Sequence, residues 1–521
     1  MSLKPPKAVA KQDDGRGAAA KSQKSKSAER TFSHAEVRGI FIGIMLAMFL
    51  GALDQTIVAT ALPTIGRAFN DVENLSWVVT AYLLTSTAVT PLYGKLADIH
   101  GRRTTMVAGV VIFVLGSVAC ALAPDMTALI LARGLQGLGG GGLMALAQTI
   151  VADVVTPRER GRYQGYFGTV FATASVSGPV LGGFLAQHLD WSLIFWINLP
   201  LGAAALVMVI RSLRELPRVE RKHRLDFLGA VLMMSAAIAL LLALTWGGTR
   251  FHWLSPQIGG LTLLSLVLWT LFVVRVVYAQ EPFLPVSILQ NPVVRCATLA
   301  GGCCMGTLVG LTIFVPLYFE VVHHLSASES GLALIPLMGS VVCAATITGR
   351  AMVHVDNYKR MPLAGLTCSI VSLLILSAWP NQLPIPVVVI LLAATGSGIG
   401  SLFPISTVGT QNAVARTQMG IATGMLNFFR ALSSALIVAL FGAIVLGGIG
   451  GGTGVSVDVL ARTASGADLA SVFRFVFLAG ALVVGFGLAF TIAMEQKPLR
   501  GPAAKEKTTP DAPGTPVTPA E

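Results

Sequence analysis

The stretch from Arg38 to Arg67 reads RGIFIGIMLAMFLGALDQTIVATALPTIGR. Between those two arginines stand 28 residues with a single charged side chain, Asp54. About 20 apolar residues in a helix cross the roughly 30 Å hydrocarbon core of a bilayer. This run is also too long for the apolar region of a signal peptide, so no cleaved leader is expected. The pattern then recurs along the chain. Apolar spans fall near 39–62, 75–97, 104–123, 127–153, 163–187 and 191–211, then 226–246 and 256–278, then 294–321, 329–353, 360–379, 384–407, 419–447 and 470–494. The order is six, two and six, fourteen spans in all. Turn residues separate many of them: Pro124-Asp125, Thr156-Pro157, Pro282, Pro380-Asn381 and the glycine-rich stretch 447–454.

Composition points the same way. Of 521 residues, 54% are apolar and only 12% charged, and the mean hydropathy is +0.73. Soluble domains carry about 25% charged residues. The two tails, 1–37 and 496–521, hold 12 of the 37 basic and 7 of the 25 acidic residues, which thins the charge between them further. A soluble fold of that length could not cover its surface with so few. Soluble enzymes, coiled coils and disordered scaffolds are excluded; the fold class is an all-α polytopic membrane protein. The net charge of +12 does not mark a nucleic-acid partner, because the bases sit in tails and short loops and not on one folded face. Cys120, Cys296, Cys303, Cys304, Cys343 and Cys368 all lie in apolar runs without CxxC or His/Cys spacing, so no metal is expected.

Orientation follows from the Lys/Arg bias of the loops. With the N-terminus inside, the inner loops hold eighteen bases, among them Lys95, Arg102, Arg103, Arg158, Arg160, Arg162, Arg350, Lys359, Arg360 and Arg416. The outer side holds four: Arg67, Arg250, Arg462 and Arg474. Both termini are therefore expected in the cytoplasm of a cell whose cytoplasmic membrane the chain crosses. The expected division is a basic disordered tail over 1–36, a six-helix bundle over 37–215 and a linker with two extra helices over 216–290. A second six-helix bundle over 291–495 and a disordered tail over 496–521 follow. The basic N-tail is read as a solvated flank of the first span.

An ionisable group inside the bilayer is costly and marks function by default. Only Asp54 among the carboxylates lies well inside a span, and only Arg133 and Arg430 among the bases. At about 1.5 Å per residue Asp54 is roughly 22 Å from the inner face, and Arg133 roughly 20 Å. The two are expected to meet, directly or through water, at a common polar cavity where the acid binds and releases a proton; a purely structural ion pair is the competing reading. Gln55 and Gln136, beside these residues, and Asn427 are candidate cavity groups. Arg430 has no acid at its depth and is read equally as a ligand of backbone carbonyls or as a neighbour of substrate. Glu320 counts to the outer interface beside His323 and His324, an ordinary solvated acid or a point of outer proton access.

Several strings then fall into order. Gly94-Lys-Leu-Ala-Asp98-Ile-His-Gly101-Arg102-Arg103 lies between spans two and three, and Leu129-Ile-Leu-Ala-Arg133-Gly-Leu-Gln136-Gly137 opens span four. Gly178-Pro179-Val-Leu-Gly182-Gly183 lies in span five, and Leu53-Asp54-Gln-Thr56-Ile-Val-Ala-Thr-Ala-Leu-Pro63 ends span one. These resemble motifs A, B, C and D1 of the major facilitator superfamily, and with fourteen spans the chain is similar to its 14-helix drug:proton antiporter branch. The resemblance covers residues 37–495. It implies two six-helix bundles that rock about a midplane site and export lipophilic, cationic or aromatic compounds against protons. It implies Asp54 and Arg133 for proton coupling, and Gly94, Asp98, Gly101, Arg102, Arg103 and Asp153 as an inner latch. It implies Gly178, Pro179, Gly182 and Gly183 as the antiporter kink, set against the interface between halves.

Residue chemistry adds its own reading. Gly94 and Gly101 suit a tight turn, and Asp98 and Arg102 can pair with Asp153 and Arg158–Arg162 across the next inner loop. Gly178-Pro179 bends its span by removing a backbone hydrogen bond, and Gly182 and Gly183 admit a close neighbour. The run Gly137-Leu-Gly139-Gly140-Gly141-Gly142 contains GxGxxG, yet no strand precedes it, so it is no dinucleotide site. No GxxxxGK[ST] occurs, and no cofactor is expected. Three departures stand out. Trp191-Ser192-Leu193 lacks the arginine and aromatic usual before Asn198-Leu-Pro200, Ala174 replaces a common glycine, and Gly349-Arg350 through Asp356 to Lys359-Arg360 echoes motif A weakly. The expected partners are protons, a small-molecule substrate and the lipid bilayer, with a monomer as the working unit. Export of a dedicated metabolite (amino acid, sugar, siderophore or self-made antibiotic) is the alternative; a non-transporting sensor or a channel has less in its favour.

Overall fold

The computed structural model describes residues 34–71, 73–215, 225–248, 250–352, 354–355, 357–448, 466–496 and 498. Expectations for the tail residues 1–33 and 499–521, the basic loop 216–224, Asp356, the glycine-rich 449–454 and Arg462 concern positions outside the described residues. The described elements are helices: α1 (His34–Phe69), α2 (Leu75–His100), α3 (Arg102–Ala121), α4 (Met126–Gly140), α5 (Leu143–Val154), α6 (Pro157–His188), α7 (Leu193–Trp196), α8 (Asn198–Ser212), α9 (Phe227–Trp246), α10 (Pro256–Tyr278), α11 (Val286–Gln290), α12 (Pro292–Val322), α13 (Ala327–Ala333), α14 (Ile335–Ala351), α15 (Arg360–Ala378), α16 (Ile385–Ala413), α17 (Met419–Gly448) and α18 (Gly466–Ala493). Among the described residues, fourteen spans are long and apolar enough to cross a membrane. Their order matches the six, two and six of the sequence.

Three boundaries differ from expectation. Helix α1 begins at His34, inside the segment read as tail. The fourth span is two helices, α4 and α5, parted at Gly141 and Gly142. Here the missing side chain matters: a Cβ on Gly141 would meet the backbone of Ser86 in α2, so only glycine lets the helices pack this closely. The hydroxyl of Thr90 in α2 donates to the Gly141 carbonyl at 2.8 Å, compensating the break. The sixth span is likewise divided, into α7 and α8. Elsewhere side-chain caps end the spans cleanly. Asp125, Ser255, Asn291 and Ser326 each accept a backbone N–H of the helix that follows.

Helices α1–α8 form one bundle and α12–α18 the other. In the first, α1 packs on α6 and α8, and α4 on α2 and α3. In the second, α12 packs on α17 and α18, and α16 on α14 and α15. The second bundle has one large core containing Leu311, Tyr318, Phe441 and Phe477. The first has two main clusters, one around Ile44, Val110 and Leu146 and one around Ile57, Val78 and Phe195. The polar site described below bridges helices of both.

Two seams join the bundles, α2 against α17 and α6 against α14. The extra helices cover one of them. Helix α9 touches both α2 and α17. Met233 and Phe272 share a core with Ile421 and Met425, and Trp77 meets Trp246 edge-on at 5.3 Å. Helix α10 lies outside α9, with Leu263, Leu266, Val273 and Val277 exposed to the lipid side.

Candidate functional site

Asp54 and Arg133 are in direct contact. Arg133 Nη1 donates to Asp54 Oδ2 at 2.6 Å, and neither side chain is more than 1% exposed. Five helices build the surroundings. Asp54 Oδ1 accepts from Gln136 Nε2 at 2.7 Å and from Asn198 Nδ2 at 3.0 Å. Arg133 also donates through Nη1 to Gln136 Oε1 at 2.6 Å and through Nε to the Val78 carbonyl at 3.0 Å. Ser117 Oγ accepts from Asn198 Nδ2 at 2.9 Å and donates to the Phe195 carbonyl at 2.9 Å. The Arg133 guanidinium lies 4.4 Å from the centre of the Tyr82 ring. Three side chains thus donate to the Asp54 carboxyl, and the buried acid faces a buried base. One atom is left over: Asn198 Oδ1 is buried without a hydrogen-bond partner.

Two expectations are corrected here. The pair does not line an open cavity in this conformation; it is sealed inside the first bundle. Gln136 is not a cavity residue but a full member of the sealed cluster, 0% exposed. Gln55, by contrast, is exposed on the neighbouring turn of α1. Ser117, Tyr82 and Asn198 were not singled out from sequence as site residues, although Asn198 stood in the Trp191–Pro200 string. A lone Ser or Asn in an apolar span carries no signal until its neighbours are known.

The inner side is closed by contacts between bundles. Asp98 pairs with Arg102 Nη1 at 2.5 Å, and Arg102 Nε donates to Asp153 Oδ2 at 2.8 Å. Asp98 also accepts the backbone N–H of Gly420 at 3.2 Å and of Ile421 at 2.9 Å. Those amides open α17, so the carboxylate sits at the positive end of a helix from the other half. Arg416 Nη2 donates to the Asp153 carbonyl at 3.1 Å. Asn427 Nδ2 donates to Gln148 Oε1 at 2.8 Å, which makes Asn427 a bridge between bundles in this state. Arg160 donates to the Ala152 carbonyl at 2.6 Å and caps α5 instead of joining the latch. Arg103 is half-buried and Arg162 exposed, while the Arg158 side chain lies outside the described set.

The two motif glycines do different work. Gly101 is the single residue between α2 and α3 and adopts φ +88, the left-handed region that favours glycine. Gly94 is no turn residue, since α2 runs on to His100. It lies where a side chain would collide with the Gly420 backbone.

The antiporter kink lies against α1, not at the interface between halves. Gly178 faces Thr56 and Gly182 faces Ile57, while nothing packs against Gly183. Thr56 Oγ1 donates to the Ala174 carbonyl at 2.9 Å. Pro179 sits inside the uninterrupted α6. The glycines that do meet the second half are lower on α6: Gly161 opposite Gly349, then Gly165 opposite Thr346 and Gly168 opposite Val342. Contact loosens along that series, and further along α6 Ala172, Thr173, Val176, Ser177, Val180 and Leu181 line an open concavity on that helix.

Arg430 binds hydroxyls and not carbonyls. Its Nη2 donates to Ser406 Oγ at 2.6 Å and Thr407 Oγ1 at 3.2 Å. Glu320 is exposed at the end of α12. Nearby His323 Nε2 lies 3.0 Å from the Tyr318 hydroxyl, which donates to the Pro380 carbonyl. Burial and the adjacent His324 hold the His323 imidazole below its ordinary value. Among the described residues no group of three or more His, Cys, Asp or Glu could hold a metal ion.

Known proteins with this sequence pattern share the architecture. The family description "Major Facilitator Superfamily" matches residues 44–438. The chain is 34% identical to Multidrug transporter protein MdtP of Bacillus subtilis, over 81% of this chain and 77% of that one. It is 30% identical to Multidrug resistance protein 3 of the same organism, over 80% of each chain. Its fold matches the crystal structure of the human organic anion transporter MFSD10 (TETRAN) with a TM-score of 0.62 at 16% identity, covering 88% of this chain and 99% of that one. This chain belongs to the Major Facilitator Superfamily of membrane transporters.

Proposed function

We propose that the chain is a proton-coupled antiporter that exports lipophilic, cationic or aromatic compounds across a bacterial cytoplasmic membrane, both termini facing the cytoplasm. The names of the relatives at 34% and 30% identity support drug export as the cargo class. The observation that carries proton coupling is the sealed Asp54–Arg133 pair. A proton on Asp54 removes the negative charge that Arg133 Nη1 answers at 2.6 Å, so it weakens the pair. Protonation and pairing therefore oppose each other. Because the carboxylate is 0% exposed, a proton reaches it only when the surrounding helices move. That links titration to the rocking of the bundles. Once Asp54 is protonated, the partnerless Asn198 Oδ1 is an acceptor within the same cluster.

The inner latch of Asp98, Arg102 and Asp153 on the α17 N-terminus holds the outward-open state. Cargo is released on the outer side; reopening the inner side requires Asp98 to leave the Gly420 and Ile421 amides. No ATP site or cofactor takes part in this scheme. Purified chain in proteoliposomes, tested against a panel of lipophilic dyes and drugs with and without an imposed pH gradient, checks the reading. Gradient-dependent efflux of several unrelated compounds is the expected result. Efflux of one metabolite alone, or efflux indifferent to the gradient, contradicts it.

A further inference from the structure

The seam between α6 and α14 carries one exposed arginine from each bundle. Its contacts run Gly161 to Gly349, Gly165 to Thr346 and Gly168 to Val342, so the numbering rises on one helix as it falls on the other. The two helices are antiparallel. Successive helical residues turn by about 100°, and in an antiparallel pair the residue after each contact position swings to the same flank. Arg162 follows Gly161, and Arg350 follows Gly349. Burial agrees with that construction. Arg162 and Thr169 of α6 are exposed, as are Cys343, Ile347 and Arg350 of α14. Gln164 and Thr348, turned to the opposite flank, are only 7% and 4% exposed. The arginines therefore share the outer flank of the seam, away from the protein interior.

Their depth and their lack of partners say what fits there. Arg162 lies in the second turn of α6 and Arg350 in the last turn of α14, at the end of the seam where the Asp98 latch closes. That is the level of the lipid headgroups, with the exposed Ile347 about one turn deeper, among the acyl chains. Among the described residues neither arginine has an ion pair. The acid three positions before Arg162, Glu159, turns back to Thr156, where its Oε2 accepts the hydroxyl at 2.9 Å and the backbone N–H at 3.2 Å. Contacting helices stand about 8–10 Å apart, and the glycine-to-glycine contact leaves no side chain between these two at that level. Two long guanidinium side chains on one flank can then meet at one anion, and a phosphate suits their planar donors. We propose that Arg162 and Arg350 form a headgroup site for an anionic phospholipid, one phosphate bridging the two bundles across the α6–α14 seam. One phosphate holds both arginines only while the seam is shut, so the lipid favours the latched conformation. The proposal does not rest on the export reading.

Thermal unfolding of the full chain in neutral detergent tests the site, titrated with phosphatidylglycerol, with phosphatidylcholine or with sodium glycerol phosphate. A saturable rise in Tm with phosphatidylglycerol alone is expected. Arg162→Gln and Arg350→Gln should each weaken the apparent affinity about ten-fold, the loss of one charge-assisted contact. Arg38→Gln, which removes an exposed base elsewhere on α1, should leave it unchanged. Distances between spin labels on the inner ends of α2 and α17 should shift toward the closed form with phosphatidylglycerol, and Arg350→Gln should abolish the shift. No saturable response, an equal response to phosphatidylcholine, or an equal loss in Arg38→Gln overturns the proposal, the last by assigning a diffuse positive field. Glycerol phosphate binding as tightly as the lipid overturns it in favour of a soluble organophosphate. Binding without a change in distance overturns the bridge between bundles. Should a glutamine variant fail to fold, lysine at that position keeps the charge and loses the planar fork; an unchanged affinity there also counts against the site.

Discussion

Arg133 Nη1 stands 2.6 Å from Asp54 Oδ2, with the two side chains 1% and 0% exposed. Removing one member of such a pair leaves the other as an uncompensated buried charge, a cost of about 3–5 kcal/mol. Asp54→Leu and Arg133→Met should each lower stability on that scale, and the double variant should recover most of the loss. Thermal unfolding of the three variants in nanodiscs checks this. The double variant should nevertheless remain inactive in gradient-driven efflux; recovery of transport along with stability would make the pair structural.

Asp98 is the only side chain of the latch that accepts backbone N–H groups from the opposite bundle, those of Gly420 and Ile421. Hydrogen bonds to a charged group contribute about 1.5–3 kcal/mol each. Asp98→Ala should therefore shift the equilibrium toward the inward-open form by roughly ten-fold or more. Distances between spin labels placed on the inner ends of α2 and α17 measure the shift. A distance distribution unchanged from the parent protein counts against the latch.

Halfway along the α6–α14 seam, a Cβ on Gly168 would lie 3.4 Å from Val342 Cγ1 and 3.7 Å from Val342 Cα. That spacing suits a disulfide. Gly168→Cys with Val342→Cys, in a chain whose six native cysteines are replaced, should cross-link on mild oxidation. The cross-linked protein should stop transporting and regain activity with reductant. Transport that continues with the bond intact would mean the seam does not part during the cycle.

At the outer rim, His323 is half-buried against Tyr318, and burial together with His324 depresses its proton affinity. The sign follows from linkage. A histidine whose folded value lies below its unfolded one contributes stability that is complete above the unfolded value, near 6.5, and is lost as pH falls below it. Protection from hydrogen exchange around 318–325 and 379–383, corrected for the intrinsic pH dependence of amide exchange, should thus fall between pH 7.5 and pH 5.5, and His323→Gln should flatten that dependence. Equal acid sensitivity in the variant would place its cause elsewhere.

The fourteen spans and the Asp54–Arg133 pair were legible because charge inside an apolar run is a rare and local signal. What the sequence left unread is contact over distance. Asp98 and Gly420 lie 322 residues apart, so nothing in the motif around Gly94 announces that its glycine meets a second helix and not a turn. Asn198 and Ser117 were invisible for another reason, since small polar residues are ordinary in membrane helices and gain meaning only beside a carboxylate. The broken fourth span escaped because its five glycines in six residues read as packing surface, whereas two of them end a helix.

The most direct test of proton coupling is proton release on substrate binding, read with a pH-sensitive dye in weakly buffered detergent solution. The best compound from the transport panel is added to the parent protein and to Asp54→Asn. The account predicts protons released from the parent protein and none from Asp54→Asn, with substrate still bound by both. Equal release from the two proteins would contradict it, because the titrating group would then lie elsewhere in the chain.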